Sequence, residues 1–294
     1  MRLAVVVLAI AAAVAVNATG IFSVPGAGMS PAAHASATEQ RLAALVAQVR
    51  SADYRGDRAA LARLDAELGR LPDGELTDYR DYWRGFALWR RALNGFNEKP
   101  APDDLAADVQ GAIARFKSAL AVHPEWIEAR LALVGCWGNL IYLTGGDTDK
   151  RKAILEEAGP TFRFIMANAG DNPRALWIKG GMEMAAPPPV GGDFAKAAAT
   201  LRYGVACAAR ESLASANTPA WVPTWGGPEN LMNLAWAYSK DPKSPDRAAA
   251  LAYAEGALVA VPEWRYVRDV MLPQIEAMPA TPPTPAKDPV PPAE

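Results

Sequence analysis

The sequence predicts an all-α fold, organised as an irregular α-solenoid of antiparallel helix pairs. The first indication is a phrase that occurs twice, an Ala-Leu pair followed three residues later by Pro-Glu-Trp. Its copies begin at Ala119 and Ala257, about four units apart in the 34-residue period of helix–turn–helix arrays. Hydrophobic residues make up 51% of the chain, and the many alanines among them favour closely packed helices. The long apolar patterns have helical spacing, and no strand pattern stands out.

The N-terminal half contains helical patterns separated by clear breaks. The predicted helices are, in order, 39–50, 57–68, 79–93 and 103–122. Gly56 separates the first two, and the turn sequence that starts at Pro72 precedes the third. Asp103 places a carboxylate in the first turn of the fourth helix, where the helix dipole favours it, and Pro124 ends that helix.

The C-terminal half continues the same organisation. The predicted helices are 126–143, 148–167, 173–185, 193–210, 229–239, 245–261 and 265–278. A kink is expected at Pro160 and an interruption at Pro273. Turns that begin at Gly145 and Gly191 share the phrase Gly-Gly-Asp-x2-Lys, in which glycine ends one helix and aspartate caps the next. Segment 217–228 is rich in proline but carries two tryptophans, so we expect it to fold back onto the helices.

The two ends of the chain have their own signatures. Residues 1–37 resemble a secretory signal and its flank, because Arg2 precedes an apolar run and small residues follow. Cleavage is expected after Ala18 or Ala37, which would deliver the chain to the periplasm of a bacterium or to the exterior. An uncleaved membrane anchor is the alternative. The helical repeat domain then spans 38–278, and the proline-rich tail 279–294 is expected to be disordered.

The helical patterns resemble those of tetratricopeptide repeats (TPR). In that family the second helix of each unit carries Ala-x3-aromatic-x2-Ala-Leu-x3-Pro. The stretch from Ala112 to Pro124 matches this pattern in full, with Phe116 as the aromatic residue. The stretch from Ala250 to Pro262 matches except at the aromatic position. The resemblance implies that paired helices touch at small residues while large residues fill the seam between them.

Departures from the family pattern predict irregular stacking. The first-helix pattern is clear at residues 231–238, but the connections at 94–102 and 187–192 are longer than the tight turns of a regular array. The cysteines Cys136 and Cys207 both lie in apolar helical patterns, so a disulfide and two buried free thiols are both compatible with the sequence.

Charge and motif content exclude several classes of function. A net charge of −2 and a pI near 5.8 argue against a nucleic-acid partner, which would require a concentrated basic surface. His123 lies at a helix end with no evident partner for acid–base work, and neither a nucleophile motif nor metal-ligand spacing is recognisable. We therefore expect no catalysis, no cofactor and no metal. The remaining enzymatic alternative is a site that the fold assembles from carboxylates distant in sequence. Contact with a membrane is expected only if the N-terminal segment is retained.

The resemblance implies a scaffold that binds a protein or peptide in a concave groove. Aromatic side chains of the first helices are candidates for lining this groove, because large amphipathic aromatics are frequent binding hot spots. The candidate binding residues are Tyr79, Tyr82, Trp89, Asn233 and Trp236. The alternative is a small-molecule or glycan-binding module that uses the same tryptophans for stacking. Because each tryptophan must bury a large apolar area, about two thirds of the nine are expected in the core.

Overall fold

A computed structural model describes residues 36–98, 102–215 and 217–279, and the secondary structure in these ranges is entirely helical. Almost all of the predicted signal segment and all but the first residue of the predicted tail lie outside the described residues. The described helices are α1 (Ala37–Tyr54), α2 (Arg58–Leu68), α3 (Thr77–Gly95), α4 (Pro102–Val122), α5 (Ile127–Leu143), α6 (Thr148–Asn168), α7 (Pro173–Ala185), α8 (Phe194–Ala214), α9 (Gly227–Lys240), α10 (Arg247–Ala260) and α11 (Leu272–Glu276).

Local sequence determines where these helices begin. Aspartate side chains accept hydrogen bonds from the first-turn backbone of several helices, at Asp57, Asp147, Asp193 and Asp246. The predicted Gly-Gly-Asp turns are confirmed, because Asp147 and Asp193 cap α6 and α8 while Gly145 and Gly191 have positive φ.

The predicted closing helix is only partly regular. A π-helical turn at Val267–Met271 precedes the short α11, and Pro273 lies in the first turn of α11. Proline lacks the N–H group that a continuous α-helix would need there, and this accounts for the change in hydrogen bonding at that point. At Pro160, by contrast, α6 continues as one helix.

Helices that follow one another in sequence pack together. From α2 to α6 and from α7 to α10, each helix contacts the next. At the seam between α3 and α4, Phe116 has 0% exposure, and Ala112 and Ala119 are equally buried. The ring of Phe116 occupies the space beside Gly85, where a Cβ atom would lie 2.9 Å from it. At the seam between α9 and α10, Ala250, Ala254 and Ala257 are also fully buried.

Contacts between sequence-distant helices distinguish this arrangement from a strictly linear array, in which each unit contacts only its neighbours. The Tyr54 hydroxyl at the end of α1 donates a 2.8 Å hydrogen bond to Glu229 of α9, and the Tyr54 ring meets Trp264 edge-on at 5.1 Å. The end of α1 therefore contacts the start of α9 and the residues that follow α10. The two cysteines do not pair: Cys136 and Cys207 are both buried free thiols.

Candidate functional site

The segment between α8 and α9 fills the space in which a groove was expected. Trp225 is 1% exposed, and its indole N–H donates to the Tyr82 hydroxyl at 2.9 Å. The Trp83 indole N–H donates to the backbone carbonyl of Trp221 at 2.6 Å. The prediction that this segment folds back onto the helices is confirmed. We call residues 217–226 the connector.

A buried arginine fixes the connector in place. Arg174 of α7 is 2% exposed, and its guanidinium donates to the carboxylates of Glu128 and Glu211 and to the carbonyl of Trp225 at 2.6–2.9 Å. All five N–H groups of the planar guanidinium therefore donate a hydrogen bond. Because the two carboxylates come from α5 and α8, this single side chain joins three helices to the connector.

The structure places three of the candidate residues in or beside the central core. Tyr82 and Trp89 of α3 are 0% and 1% exposed, and the Trp89 ring lies 5.8 Å from that of Trp225. Tyr79 is half-buried and contacts the Trp126 ring edge-on at 4.8 Å. Rings covered in this way contribute apolar packing, and a ligand would have to displace the connector to reach Tyr82 or Trp89.

The remaining two candidates lie on α9, away from those aromatics. Asn233 is half-buried between α9 and α7, with its side-chain nitrogen near Gly181. Trp236 is also half-buried, but it packs with the C-terminal apolar cluster. The five candidates are therefore divided between two places in the fold.

Trp236 lines a small depression between α9 and the C-terminal segment. Its indole N–H donates to the Tyr266 hydroxyl at 2.7 Å, and the Lys240 ammonium lies 5.1 Å from the centre of its ring. Met278 is half-buried and supplies adjustable apolar surface at the same place, whereas Met271 is only 4% exposed. We call this surface the Trp236 depression. Its volume of about 10 Å³ admits one methyl- or water-sized group, so a partner would contact it mainly as a surface.

The polar groups of the Trp236 depression have unused hydrogen-bonding capacity. Burial raises the pKa of the Tyr266 hydroxyl above its ordinary value of 10, and the hydrogen bond from Trp236 opposes this shift. The hydroxyl therefore carries its proton at neutral pH, and that proton has no acceptor among the described side chains or backbone. Lys240 is exposed and only 3.4 Å from the Gln274 carbonyl oxygen. The surface offers an aromatic ring, one neutral donor and one cation.

A buried ionic network positions the start of α9. Arg90 donates to Asp53 at 2.8 Å, and Asn94 donates to the other carboxylate oxygen at 2.9 Å. Burial raises the pKa of the Asp53 carboxyl from its ordinary 3.8, while the charge of Arg90 opposes the rise. Glu229 is held from two sides, by the Tyr54 hydroxyl and by the backbone N–H of Gly226, each at 2.8 Å.

Within the ranges that the structure describes, no three His, Cys, Asp or Glu side chains come together in a way that could hold a metal ion. No described helix is both long and apolar enough to cross a bilayer. His123 stacks on Trp126 at 5.8 Å, and its Nδ1 lies 3.7 Å from an oxygen of Asp78.

Sequence reasoning missed the partners of Trp236. Lys240 lies one helical turn after Trp236, and this spacing could have suggested the contact. Tyr266 lies 30 residues beyond Trp236 in the chain, and no local pattern joins the two. No protein-family model, no curated protein and no solved structure matches this chain.

Proposed function

We propose that this protein is a non-catalytic, TPR-like helical scaffold that binds a protein or peptide partner. The partner binds at the Trp236 depression. The observation that carries this proposal is the partly exposed Trp236 ring, which Tyr266 holds in place while the Tyr266 hydroxyl retains an unused donor. Trp and Tyr are enriched among residues that dominate binding energy at protein interfaces.

The chemistry of this surface suits an extended peptide. A backbone carbonyl of the peptide accepts the free proton of Tyr266, and an apolar side chain packs on Trp236 and Met278. The positive charge of Lys240 favours an acidic or carbonyl-rich segment beside that contact. The buried network around Glu229 keeps α9 fixed, so little ordering of the site is required when the partner binds.

The cellular location follows from the N-terminal sequence. Residues 1–37 direct the chain out of the cytoplasm, so the partner is a periplasmic or extracellular protein. N-terminal sequencing of the native protein should find Thr19 or Thr38 as the first residue. Finding Met1 on a membrane-bound chain would instead favour the uncleaved anchor.

The binding proposal is tested with variants that leave the fold intact. Capture from the extracytoplasmic fraction with the wild-type chain yields the partner, which is identified and then titrated by calorimetry. Tyr266→Phe removes both the donor to the peptide and the acceptor that holds the Trp236 indole, so it should weaken binding by at least about 2- to 12-fold, the value of one hydrogen bond. Tyr142→Phe is the matched control, because Tyr142 is an exposed tyrosine outside the depression. Equal affinity for Tyr266→Phe and wild type would contradict the proposal.

Oligosaccharide titration separates the alternative function from the proposed one. If the chain binds glycans by stacking on Trp236, tryptophan fluorescence should shift in a saturable way and the shift should disappear in Trp236→Ala. A peptide-binding scaffold predicts a flat titration.

A further inference from the structure

A second cleft lies between α1 and the connection from α8 to α9. One wall is formed by Ala43, Val46, Ala47 and Arg50 of α1, and the other by Ser215 and by residues within 218–224. The space between the walls is about 180 Å³. We call this the Arg50 cleft. Drug-sized ligands occupy roughly 300–1,000 Å³, so the Arg50 cleft suits a smaller molecule.

Arg50 has no carboxylate partner in the described part of the chain, and its charge acts only on the Tyr54 hydroxyl, where it opposes the rise in pKa that burial causes. Its side chain is half-buried, yet no described residue forms a hydrogen bond or an ion pair with its guanidinium. The fully buried arginines Arg90 and Arg174 are, by contrast, paired with carboxylates. A guanidinium that is partly removed from water without a partner is a favourable place for an anion to bind.

The charge of the cleft selects the kind of anion. Arg50 is the one charged residue among the described residues that line it, so the lining carries a formal charge of +1. A carboxylate matches this charge and also the two-pronged geometry of a guanidinium. A phosphate ester carries about −1.5 to −2 charges at neutral pH, and its binding sites commonly use several arginines.

The remainder of the lining combines apolar surface with hydroxyl groups. Pro219 and Val222 present hydrocarbon, while Thr218 and Thr224 add hydroxyls that can donate to a second carboxylate lone pair. An amphiphilic ligand would therefore place its charged end at Arg50 and its alkyl chain along Pro219 and Val222.

We propose that the Arg50 cleft binds a small aliphatic monocarboxylate. The carboxylate pairs with the Arg50 guanidinium, and the short alkyl chain packs between α1 and residues 218–224. This site is independent of the proposed partner-binding surface, so either proposal can fail without affecting the other.

The test is calorimetric titration of the purified full chain with hexanoate. Saturable one-to-one binding is expected, and hexanamide, which has the same length but no charge, should bind at least tenfold more weakly. Across the series from acetate to hexanoate, affinity should rise about fourfold for each methylene that enters the cleft. Absence of hexanoate binding, or equal binding of hexanamide, would overturn the proposal.

Variants locate the binding in the cleft. Arg50→Gln should weaken hexanoate binding at least tenfold, whereas Arg55→Gln should not, because Arg55 is exposed and lies outside the cleft lining. Ala47→Leu adds bulk to the exposed rim of the cleft and should weaken hexanoate more than acetate. Melting midpoints of all three variants should stay close to that of wild type. Unchanged hexanoate affinity in Arg50→Gln would show that the site lies elsewhere.

Discussion

Replacing Trp225 with alanine tests whether the connector is an integral part of the core. The side chain is 1% exposed and meets Phe86, Trp89 and Trp177 at ring-centre distances of 5.5–5.8 Å. Emptying a buried aromatic site costs about 3–5 kcal/mol, because apolar burial is lost and a cavity remains. The lost hydrogen bond to Tyr82 adds to this cost.

The assay is thermal and denaturant unfolding followed by circular dichroism. For a domain of 150–250 residues, 1 kcal/mol corresponds to roughly 2–4 °C, so Trp225→Ala should lower the melting midpoint by roughly 6–20 °C. Trp221→Ala is the matched control in the same connector. Its ring is only half-buried and Trp83 uses its backbone carbonyl, so the expected cost is about 1–2 kcal/mol. A melting midpoint unchanged by Trp225→Ala would refute the packing of the connector described above.

Further predictions concern the seams, the clamp and the binding surface. In urea unfolding, Phe116→Ala should lower the free energy of unfolding by about 3–5 kcal/mol, and Gly85→Ala should lower it by about 1–3 kcal/mol through overpacking. In the double variant the two losses should not add, because both changes act on the same contact. Arg174→Lys should destabilise by several kcal/mol in the same assay, because an ammonium cannot replace two bidentate pairs; a loss below about 1 kcal/mol would contradict the role of Arg174 as a clamp. Trp236→Ala should weaken partner binding by roughly 2 kcal/mol and, because its ring is half-buried, should cost about 1–2 kcal/mol of stability; a stability loss of about 3–5 kcal/mol would assign Trp236 to the core.

Local features of the fold were predictable from the sequence. Helical periodicity and Asp–Gly turns depend on neighbouring residues, so the caps at Asp147 and Asp193 and the seam residue Phe116 were placed correctly. Six of the nine tryptophans are buried, in agreement with the expected two thirds. The buried tryptophans are Trp83, Trp89, Trp126, Trp137, Trp225 and Trp264.

What covers an aromatic face was not predictable in the same way. Tyr82 and Trp89 have the spacing of inward-facing first-helix residues, but periodicity does not show that the connector packs over them. The ionic contacts of Arg174 and the contact between Tyr54 and Glu229 join residues 37 to 175 positions apart. Arg50 could not be recognised as a candidate binding residue, because its significance depends on the lack of a carboxylate partner among the residues that the structure describes.

Hydrogen–deuterium exchange of the free chain and of its complex with the captured partner tests the proposed function most directly. Binding at the Trp236 depression should slow exchange at residues 233–240 and 266–278, because the partner covers the backbone around Trp236 and Tyr266. The central aromatic cluster around Trp225 should show no change. Slower exchange confined to the connector and α3, with no change around Trp236, would place the partner at the connector. That result would contradict binding at the Trp236 depression.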